Sequence, residues 1–463
     1  MVMIENIENT IVAISTPPGK AGIAMIRLSG KQSIKIVSKI LRAKQNLENI
    51  EPWKAVLGKI VDHNVEVDEV VVIVYKAPNS YTKEDMVEIN CHGGVYVSQR
   101  ILELAIKNGA RLAQPGEFTF RAFLNGRIDL SQAEAVADLI HAQTEASLQA
   151  SYSQLEGKLS QKIIAISNRL VDFCSLLELE LDFSEEDVAF VDRRKFVEQL
   201  KEGQKELENL ISTYQIGRIA REGVKLVIAG RPNVGKSSLL NMLIKEERAI
   251  VTEIPGTTRD PLEVQMDFKG ILFRVFDTAG IKNTADRIEQ EGVRRAKKHL
   301  ESADIIIQVF DGSEMLKPED YEIINMIQKS KQLTLIRVIN KVDLPQEIER
   351  ETIHGNNIPL LSISAIKGDG IDRLEKTLYQ CVVEDDNKIF SAKVLVTNVR
   401  HWQALTKALE SLQRSTDEAE KGVSSEFIAL YLRDALNYLG QITGKVTSED
   451  ILNNIFSKFC IGK

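Results

Sequence analysis

Short apolar runs separated by turn residues fill the first 125 positions of the chain. The pattern predicts strands over residues 10–14, 23–28, 53–60, 67–75 and 87–90, and helices over 31–41 and 95–107. Strands and helices mixed in this way are typical of an α+β domain, which we place at residues 1–125.

The pattern changes twice more along the chain. Between residues 131 and 214 apolar residues recur at three-to-four spacing, as at Ile163, Ile166 and Leu170, and no strand is expected. From Val224 to about residue 378, strands, glycine-rich turns and helices alternate as in a doubly wound α/β domain. Helices resume after an acidic stretch at 384–387.

Each of the two helical blocks would expose an apolar face if it stood alone, so we expect them to pack together as one all-α domain. The α/β domain is then an insertion, which is tolerated because domain termini usually lie close together. The predicted segments are 1–125 (α+β domain), 126–218 (helical, first part), 219–382 (inserted α/β domain) and 383–463 (helical, second part).

Composition narrows the class of protein. The 59 basic and 66 acidic residues give a net charge of −7, so a role with nucleic acid requires local basic patches or a partner. The four cysteines form no CxxC pair, which disfavours a zinc site. The first residues are acidic where a signal peptide is basic, and the apolar runs at 70–75 and 305–310 are too short to span a bilayer. We expect a soluble, cytoplasmic protein with no membrane association.

A complete phosphate-loop motif follows the predicted strand at 224–229. Residues 230–238 read GRPNVGKSS, which is GxxxxGK[ST] between a strand and a helix. Backbone N–H groups of such a loop surround the phosphates, Lys236 neutralises β- and γ-oxygens, and the Ser237 hydroxyl ligates Mg²⁺. The α/β block is therefore predicted to be a Ras-like P-loop GTPase domain that requires magnesium.

Three further motifs follow in the order of a guanine-nucleotide site. Residues 277–280 read DTAG, where a carboxylate at a strand end and a glycine N–H face Mg²⁺ and the γ-phosphate. Residues 340–343 read NKVD, and the Asp343 carboxylate is expected to accept from two donors of guanine that adenine lacks. Ser364, Ala365 and Ile366 fit the loop that closes over the base.

The segment 251–260, VTEIPGTTRD, lies between the phosphate loop and DTAG and is the expected switch, with Thr258 as a second Mg²⁺ ligand. The hairpin turn Lys269-Gly270 should make the flanking strands antiparallel. The predicted nucleotide-binding residues are Asn233, Val234, Gly235, Lys236, Ser237, Ser238, Thr252, Glu253, Ile254, Pro255, Gly256, Thr257, Thr258, Asp277, Thr278, Ala279, Gly280, Asn340, Lys341, Asp343, Ser364, Ala365 and Ile366.

One position bears on mechanism. Ras-like enzymes carry a water-orienting glutamine directly after DxxG, but this chain has Ile281, whose aliphatic side chain cannot orient water. Asp286, Glu289 and Glu291 are the downstream candidates, and solvated helix charges are an equally open interpretation of all three. His92 beside two glycines is interpreted as structural, and Cys460 as a buried, inert thiol.

Together these residues resemble one family, the MnmE (TrmE) tRNA-modification GTPases, over essentially the whole chain. The specific marks are the C-terminal CIGK at 460–463, GTTRD at 256–260, TPPG at 16–19, PGEF at 115–118 and RAFLN at 121–125. The resemblance implies a potassium-activated GTPase whose potassium ligands are Asn233, Thr252, Ile254 and Thr257. It also implies Glu289 as the catalytic group that positions water, together with Lys236, and it makes Cys460 important for modification.

The resemblance implies a second ligand in the N-terminal domain, a tetrahydrofolate derivative in its formyl or methylene form. The matching positions are Arg27, Glu88, Arg127 and Lys463, and Arg127 stands where many family members have lysine. It further implies a homodimer that forms a heterotetramer with an FAD-containing MnmG (GidA)-type partner. That assembly would add an aminomethyl or carboxymethylaminomethyl group at C5 of the wobble uridine of certain tRNAs. The alternative is a regulatory ribosome-assembly GTPase without modification chemistry, for which we expect a basic RNA-binding domain that the sequence does not show.

Overall fold

The computed structural model describes residues 8–182, 193–248, 263–277, 299–328, 334–355, 358–382 and 394–462. The chain divides into two compact units. The first comprises Met1–Ile140, Gln154–Leu207 and Gln403–Lys463, and the second comprises His141–Ser153 and Glu208–Trp402.

A seven-stranded sheet forms the centre of the N-terminal part of the first unit. Its strands are β1 (Ile11–Ile14), β2 (Ile23–Ser29), β3 (Leu41–Ala43), β4 (Ala55–Asp62), β5 (Val65–Tyr75), β6 (Met86–His92) and β7 (Arg111–Leu112). They are ordered β3-β4-β5-β6-β2-β1-β7, and only the short β7 pairs in parallel. The α+β prediction is confirmed.

A six-stranded sheet forms the centre of the second unit. Its strands are β8 (Val224–Ala229), β9 (Glu263–Phe268), β10 (Ile271–Asp277), β11 (Ile305–Asp311), β12 (Thr334–Asn340) and β13 (Leu360–Ser362). The order is β13-β12-β11-β8-β10-β9. All neighbours are parallel except β9 and β10, which the Lys269-Gly270 turn joins as the expected antiparallel hairpin.

Helices surround both sheets and make up the rest of the first unit. In chain order they are α1 (Ser33–Ile40), α2 (Val95–Lys107), α3 (Glu117–Leu124), α4 (Leu130–His141), α5 (Glu145–Leu155), α6 (Lys158–Asp182), α7 (Arg193–Ser212), α8 (Tyr214–Glu222), α9 (Lys236–Arg248), α10 (Pro318–Gln328), α11 (Arg350–Ile353), α12 (Ile371–Val382), α13 (Val399–Glu420), α14 (Ser425–Thr443) and α15 (Glu449–Phe456). None of these helices in the described ranges is long and apolar enough to cross a membrane.

The alternation of burial along the strands decides which face of the first sheet is covered. Val12, Ile26 and Val72 point into a core shared with α1 and α2, because alternate residues of a strand face opposite sides. On the other face α3 covers β1, where Phe118 packs against Ile11. The rest of that second face, over β2, β6, β5 and β4, carries exposed apolar side chains, described below.

The C-terminal helix packs on the N-terminal part of the chain. Phe456 of α15 contacts Phe120 of α3 edge to face, with ring centroids 5.1 Å apart, and both side chains are buried. Helix α15 begins after Ser448 as expected but ends at Phe456, not at Phe459. Phe459 lies in the turn that follows and stacks on Phe456, which directs residues 460–462 away from the helix axis and toward β1.

Two sequence predictions for the first sheet need correction. The strand expected at 53–60 starts at Ala55, because Trp53 has a left-handed backbone with φ of 71° that a strand cannot accommodate. The edge strands β3 and β7 were not predicted, since three and two residues are too short to show any periodicity.

Candidate functional site

The phosphate loop lies at the carboxyl end of β8 and leads into α9. Lys236 is buried, and its Nζ donates to the carbonyl oxygens of Gly230 at 2.6 Å and Arg231 at 2.9 Å. These bonds hold the ammonium over the loop at the N-terminus of α9, where the helix dipole favours phosphate. Ser237 and Ser238 are exposed on the first turn of α9, and Asn233 is exposed with a left-handed backbone at φ 66°.

The guanine-reading segment lies beside the phosphate loop, at the end of β12. Asn340 joins the two, since its Nδ2 donates to the Val234 carbonyl at 2.8 Å and its Oδ1 accepts from the Ala365 N–H at 2.9 Å. Ser364 donates to Asp343 at 2.6 Å, and this hydrogen bond holds the pKa of that carboxyl below its usual range. Asp343 is therefore an ionised acceptor at neutral pH, as guanine recognition requires.

Three of the four nucleotide motifs thus meet at one edge of the sheet, with Ala365 buried and Ile366 exposed above the segment. The fourth motif is represented by Asp277, the last residue of β10. Its neighbours Thr278, Ala279 and Gly280, the switch residues Thr252, Glu253, Ile254, Pro255, Gly256, Thr257 and Thr258, and the candidates Asp286, Glu289 and Glu291 lie outside the described residues.

The predicted folate residues meet on the second face of the first sheet. Arg27 on β2 and Glu88 on β6 are register partners, and Arg27 Nε and Nη2 donate to Glu88 Oε1 at 2.9 and 2.7 Å. The Tyr75 hydroxyl donates to Glu88 Oε2 at 2.9 Å. Burial, followed by this bond to an anion, raises the pKa of Tyr75 to about 12, so Tyr75 remains a neutral donor.

Tyr81 connects Arg27 to Arg127. The two guanidinium groups lie 5.8 and 4.7 Å from the Tyr81 ring centroid, and Arg127 Nη1 donates to the Tyr81 carbonyl at 3.1 Å. Tyr81 and Arg127 also line a cavity of about 390 Å³ whose other walls are aliphatic, among them Ile128, Val136 and Leu139. The sequence did not single out Tyr75 or Tyr81, because lone tyrosines in or near strands are ordinary core residues.

The C-terminal tail reaches the same place. The Gly462 carbonyl accepts from Ser15 Oγ at 3.0 Å and from Arg27 Nη1 at 3.5 Å. Lys463 follows directly but lies outside the described residues. The side chain of Cys460 is exposed, so the expectation of a buried thiol is wrong: the chain leaves α15 before this residue, and no core covers it.

His92 lies at the end of β6, and its Nδ1 is 2.7 Å from Asp68 Oδ1. The backbone N–H of His92 donates to the other oxygen of Asp68 at 2.8 Å. Both contacts tie strand β6 to β5, in agreement with a structural role.

Comparison with known proteins decides the family. A family model for the MnmE helical domain matches residues 130–460, and a model for the GTP-binding protein TrmE N-terminus matches residues 10–127. The tRNA modification GTPase MnmE of Thermoanaerobacter pseudethanolicus is 44% identical over 461 residues, which cover 98% of this chain and 99% of the relative. The chain belongs to the MnmE family.

Other relatives agree with this assignment. The tRNA modification GTPase MnmE of Clostridioides difficile is 43% identical, covering 99% of this chain and 100% of the relative. Among solved structures, Aquifex aeolicus Era bound to GDP.AlF4- is 30% identical over 40% of this chain and 65% of its own, with a TM-score of 0.28 that carries no structural argument. As a member of the MnmE family, the chain is a GTPase.

Proposed function

We propose that this GTPase modifies tRNA. Together with an FAD-containing MnmG-type partner it adds an aminomethyl or carboxymethylaminomethyl group at C5 of the wobble uridine, with the carbon supplied by a tetrahydrofolate derivative. The printed name of its relatives, tRNA modification GTPase, supports tRNA as the substrate. The net charge of −7 supports a division of labour in which the partner makes most of the tRNA contacts.

The observation that carries the folate proposal is the Arg27–Glu88 pair between Tyr75, Tyr81 and the C-terminal tail. Glu88 is buried, and a carboxylate has about four acceptor positions, of which Arg27 and Tyr75 take three. One position on Oε2 remains for an amino group of a pterin ring. Arg27 and Arg127 supply cations for the carbonyl and glutamyl oxygens of the folate, and Tyr81 supplies an aromatic face between them.

The open part of the first sheet supports the homodimer. Leu57 and Val71 are cross-strand partners, 64% and 38% exposed, on the same face as Arg27 and Glu88, and Ile23 on that face is 64% exposed. Three exposed aliphatic side chains on one sheet face are typical of a surface that another chain covers. A second copy is the proposed occupant, which would bring two folate sites to one interface.

GTP hydrolysis is proposed to use Mg²⁺ on Ser237 and Thr258, and K⁺ on Asn233, Thr252, Ile254 and Thr257. A monovalent cation at the phosphates supplies the positive charge that an arginine finger brings elsewhere. Glu289 is proposed to position the attacking water, because Ile281 cannot, and Cys460 to act in modification from the exposed tail. Hydrolysis would drive the association of two GTPase domains. The proposed place of action is the cytoplasm.

The folate proposal is tested by Glu88→Gln, with Glu66→Gln as the matched control. Glu66 carries the same charge on the same sheet and pairs with Lys59 at the surface. Loss of a charged hydrogen-bond acceptor corresponds to about 10- to 100-fold in affinity. We expect the Kd of 5-formyltetrahydrofolate, measured by calorimetry, to rise by that factor in Glu88→Gln and to stay within twofold in Glu66→Gln. An unchanged Kd in Glu88→Gln, with GDP binding intact in both variants, rejects this pocket.

The potassium proposal is tested by GTP hydrolysis in K⁺ against Na⁺ at equal ionic strength and several protein concentrations. We expect stimulation by K⁺ that grows with protein concentration, because the active form is proposed to be a dimer of GTPase domains. Asn233→Gly keeps the left-handed backbone at φ 66° without strain and removes only the side-chain ligand, so it should abolish the stimulation. Equal rates in both salts for the unaltered protein reject the cation site.

A further inference from the structure

A buried charge cluster connects the phosphate loop to the guanine-reading segment in the second unit. Arg231, the second residue of the loop, is 8% exposed and forms ion pairs with Asp320 at 3.2 Å, with Asp311 at 3.8 Å and with Glu314. An arginine held by three carboxylates in a buried setting has one orientation, because any other would leave charges unpaired.

Asp311 lies between the two loops. It is the last residue of β11, next to both β8 and β12 in the sheet. Its Oδ2 accepts from Lys341 Nζ at 2.5 Å, and the same oxygen is the one nearest Arg231. Its Oδ1 accepts from the backbone N–H of Ser313 at 3.0 Å and from Ser313 Oγ at 2.7 Å. Both oxygens are fixed, and Oδ2 is shared by a cation from each loop.

The ionisation of Asp311 is secured by these partners. Burial acts to raise the pKa of its carboxyl, but the hydrogen bonds from Lys341 and Ser313 outweigh burial and hold the pKa below its usual range. Lys341 itself has a left-handed backbone at φ 65°, a conformation that non-glycine residues keep only when surrounding contacts enforce it. The contact with Asp311 is one such restraint.

We propose that Asp311 is a positioning residue for guanine nucleotides: it sets the spacing between the base-reading segment and the phosphate loop by holding Lys341 and Arg231 on one carboxylate oxygen. A nucleotide binds both subsites at once, so its affinity depends on their pre-set separation. Loss of the shared anion weakens whole-nucleotide binding without removing a group that contacts the phosphates. This inference rests on GTP binding by the second unit and not on the proposed tRNA or folate chemistry.

The test is Asp311→Asn in the full-length chain, with Glu314→Gln as the matched control. Asparagine retains the acceptor for Ser313 and removes the charge shared by Lys341 and Arg231. Glu314 also pairs with Arg231, but its other cation is Lys317, outside the base-reading segment. We expect the Kd of GDP and the KM of GTP to rise at least tenfold in Asp311→Asn and less than threefold in Glu314→Gln, with kcat within twofold of the unaltered enzyme in both.

Coupling through Asp311 makes a second demand. Arg231→Gln should raise the Kd of GDP several-fold in the unaltered background but less than twofold in the Asp311→Asn background, because the connection is already broken there. Full additivity of the two substitutions overturns the proposal, as does a GDP Kd in Asp311→Asn within threefold of the unaltered protein. If Asp311→Asn fails to fold, Ser313→Ala, which removes one hydrogen bond to Oδ1, should raise the Kd two- to fivefold, and no change there also overturns it.

Discussion

Asp343 shows how a single side chain is prepared for its task by one neighbour. Ser364 donates to it at 2.6 Å and keeps it ionised, and the buried Asn340 fixes the backbone on either side of the base-reading loop. The NKVD letters alone predicted the carboxylate. The contact with Ser364, 21 residues later, depends on the pairing of β12 with β13.

Replacement of Asp343 by Asn should change base preference from guanine to xanthine. An amide donates where guanine also donates, whereas xanthine presents a carbonyl oxygen there. We expect the Kd of GDP to rise by at least about 100-fold and XDP to bind more tightly than GDP, in line with the large discrimination that buried polar pairing provides. Titration with both diphosphates measures this.

The exposed Asp369, on the same loop, supplies the control for that experiment. Asp369→Asn removes the same charge from the loop and should leave both affinities within twofold. A GDP preference that persists in Asp343→Asn would remove Asp343 from base recognition.

At the scale of elements, the junction of α3 and α15 rests on close approach between backbones. Gly116 caps α3 with φ of 70°, and a Cβ there would lie 2.6 Å from the Phe456 carbonyl oxygen. The PGEF motif contains this glycine, but the sequence does not show which element comes so close to it. The aromatic contact of Phe120 with Phe456 explains why the two helices meet here.

Gly116→Ala should therefore destabilise the protein more than its backbone angle alone requires. The left-handed conformation costs about 1–2 kcal/mol for alanine, and the steric overlap adds about 1–3 kcal/mol. Gly126→Ala is the control, since Gly126 has φ of 65° with no atom within 4 Å of the added Cβ and should show only the first cost. Urea unfolding measures both, and equal losses would show that the approach to Phe456 is not restrictive.

At the scale of the whole molecule, each unit has its own sheet and its own hydrophobic core. The predicted insertion of one domain into another, with limits at 125, 218 and 382, stays a prediction. The family explains why both units occur in one chain, because the two matching models together span residues 10–127 and 130–460.

Separate cores predict separate responses to ligands in scanning calorimetry. A ligand at 100 times its Kd stabilises the unit that binds it by about 2.7 kcal/mol. GDP should raise the midpoint of one transition, and 5-formyltetrahydrofolate should raise the midpoint of the other. In Asp343→Asn the GDP shift should disappear while the folate shift remains. A single transition that both ligands raise would contradict independent units.

The sequence by itself determined the fold class, the phosphate loop, the guanine-reading segment and the family. These are local signals, since consecutive residues carry both the period of an element and the spacing of a motif. The sequence also placed β8 and α2 with their observed limits, because long periodic runs do not depend on distant partners.

Only the tertiary structure decided which residues meet. Arg27 and Glu88 are 61 positions apart and become partners through the register of β2 with β6. Asp311 attracted no notice as a residue ending an apolar run, yet it takes cations from segments 80 residues before it and 30 after it. Charge pairing across a sheet edge depends on strand order, which no local pattern encodes.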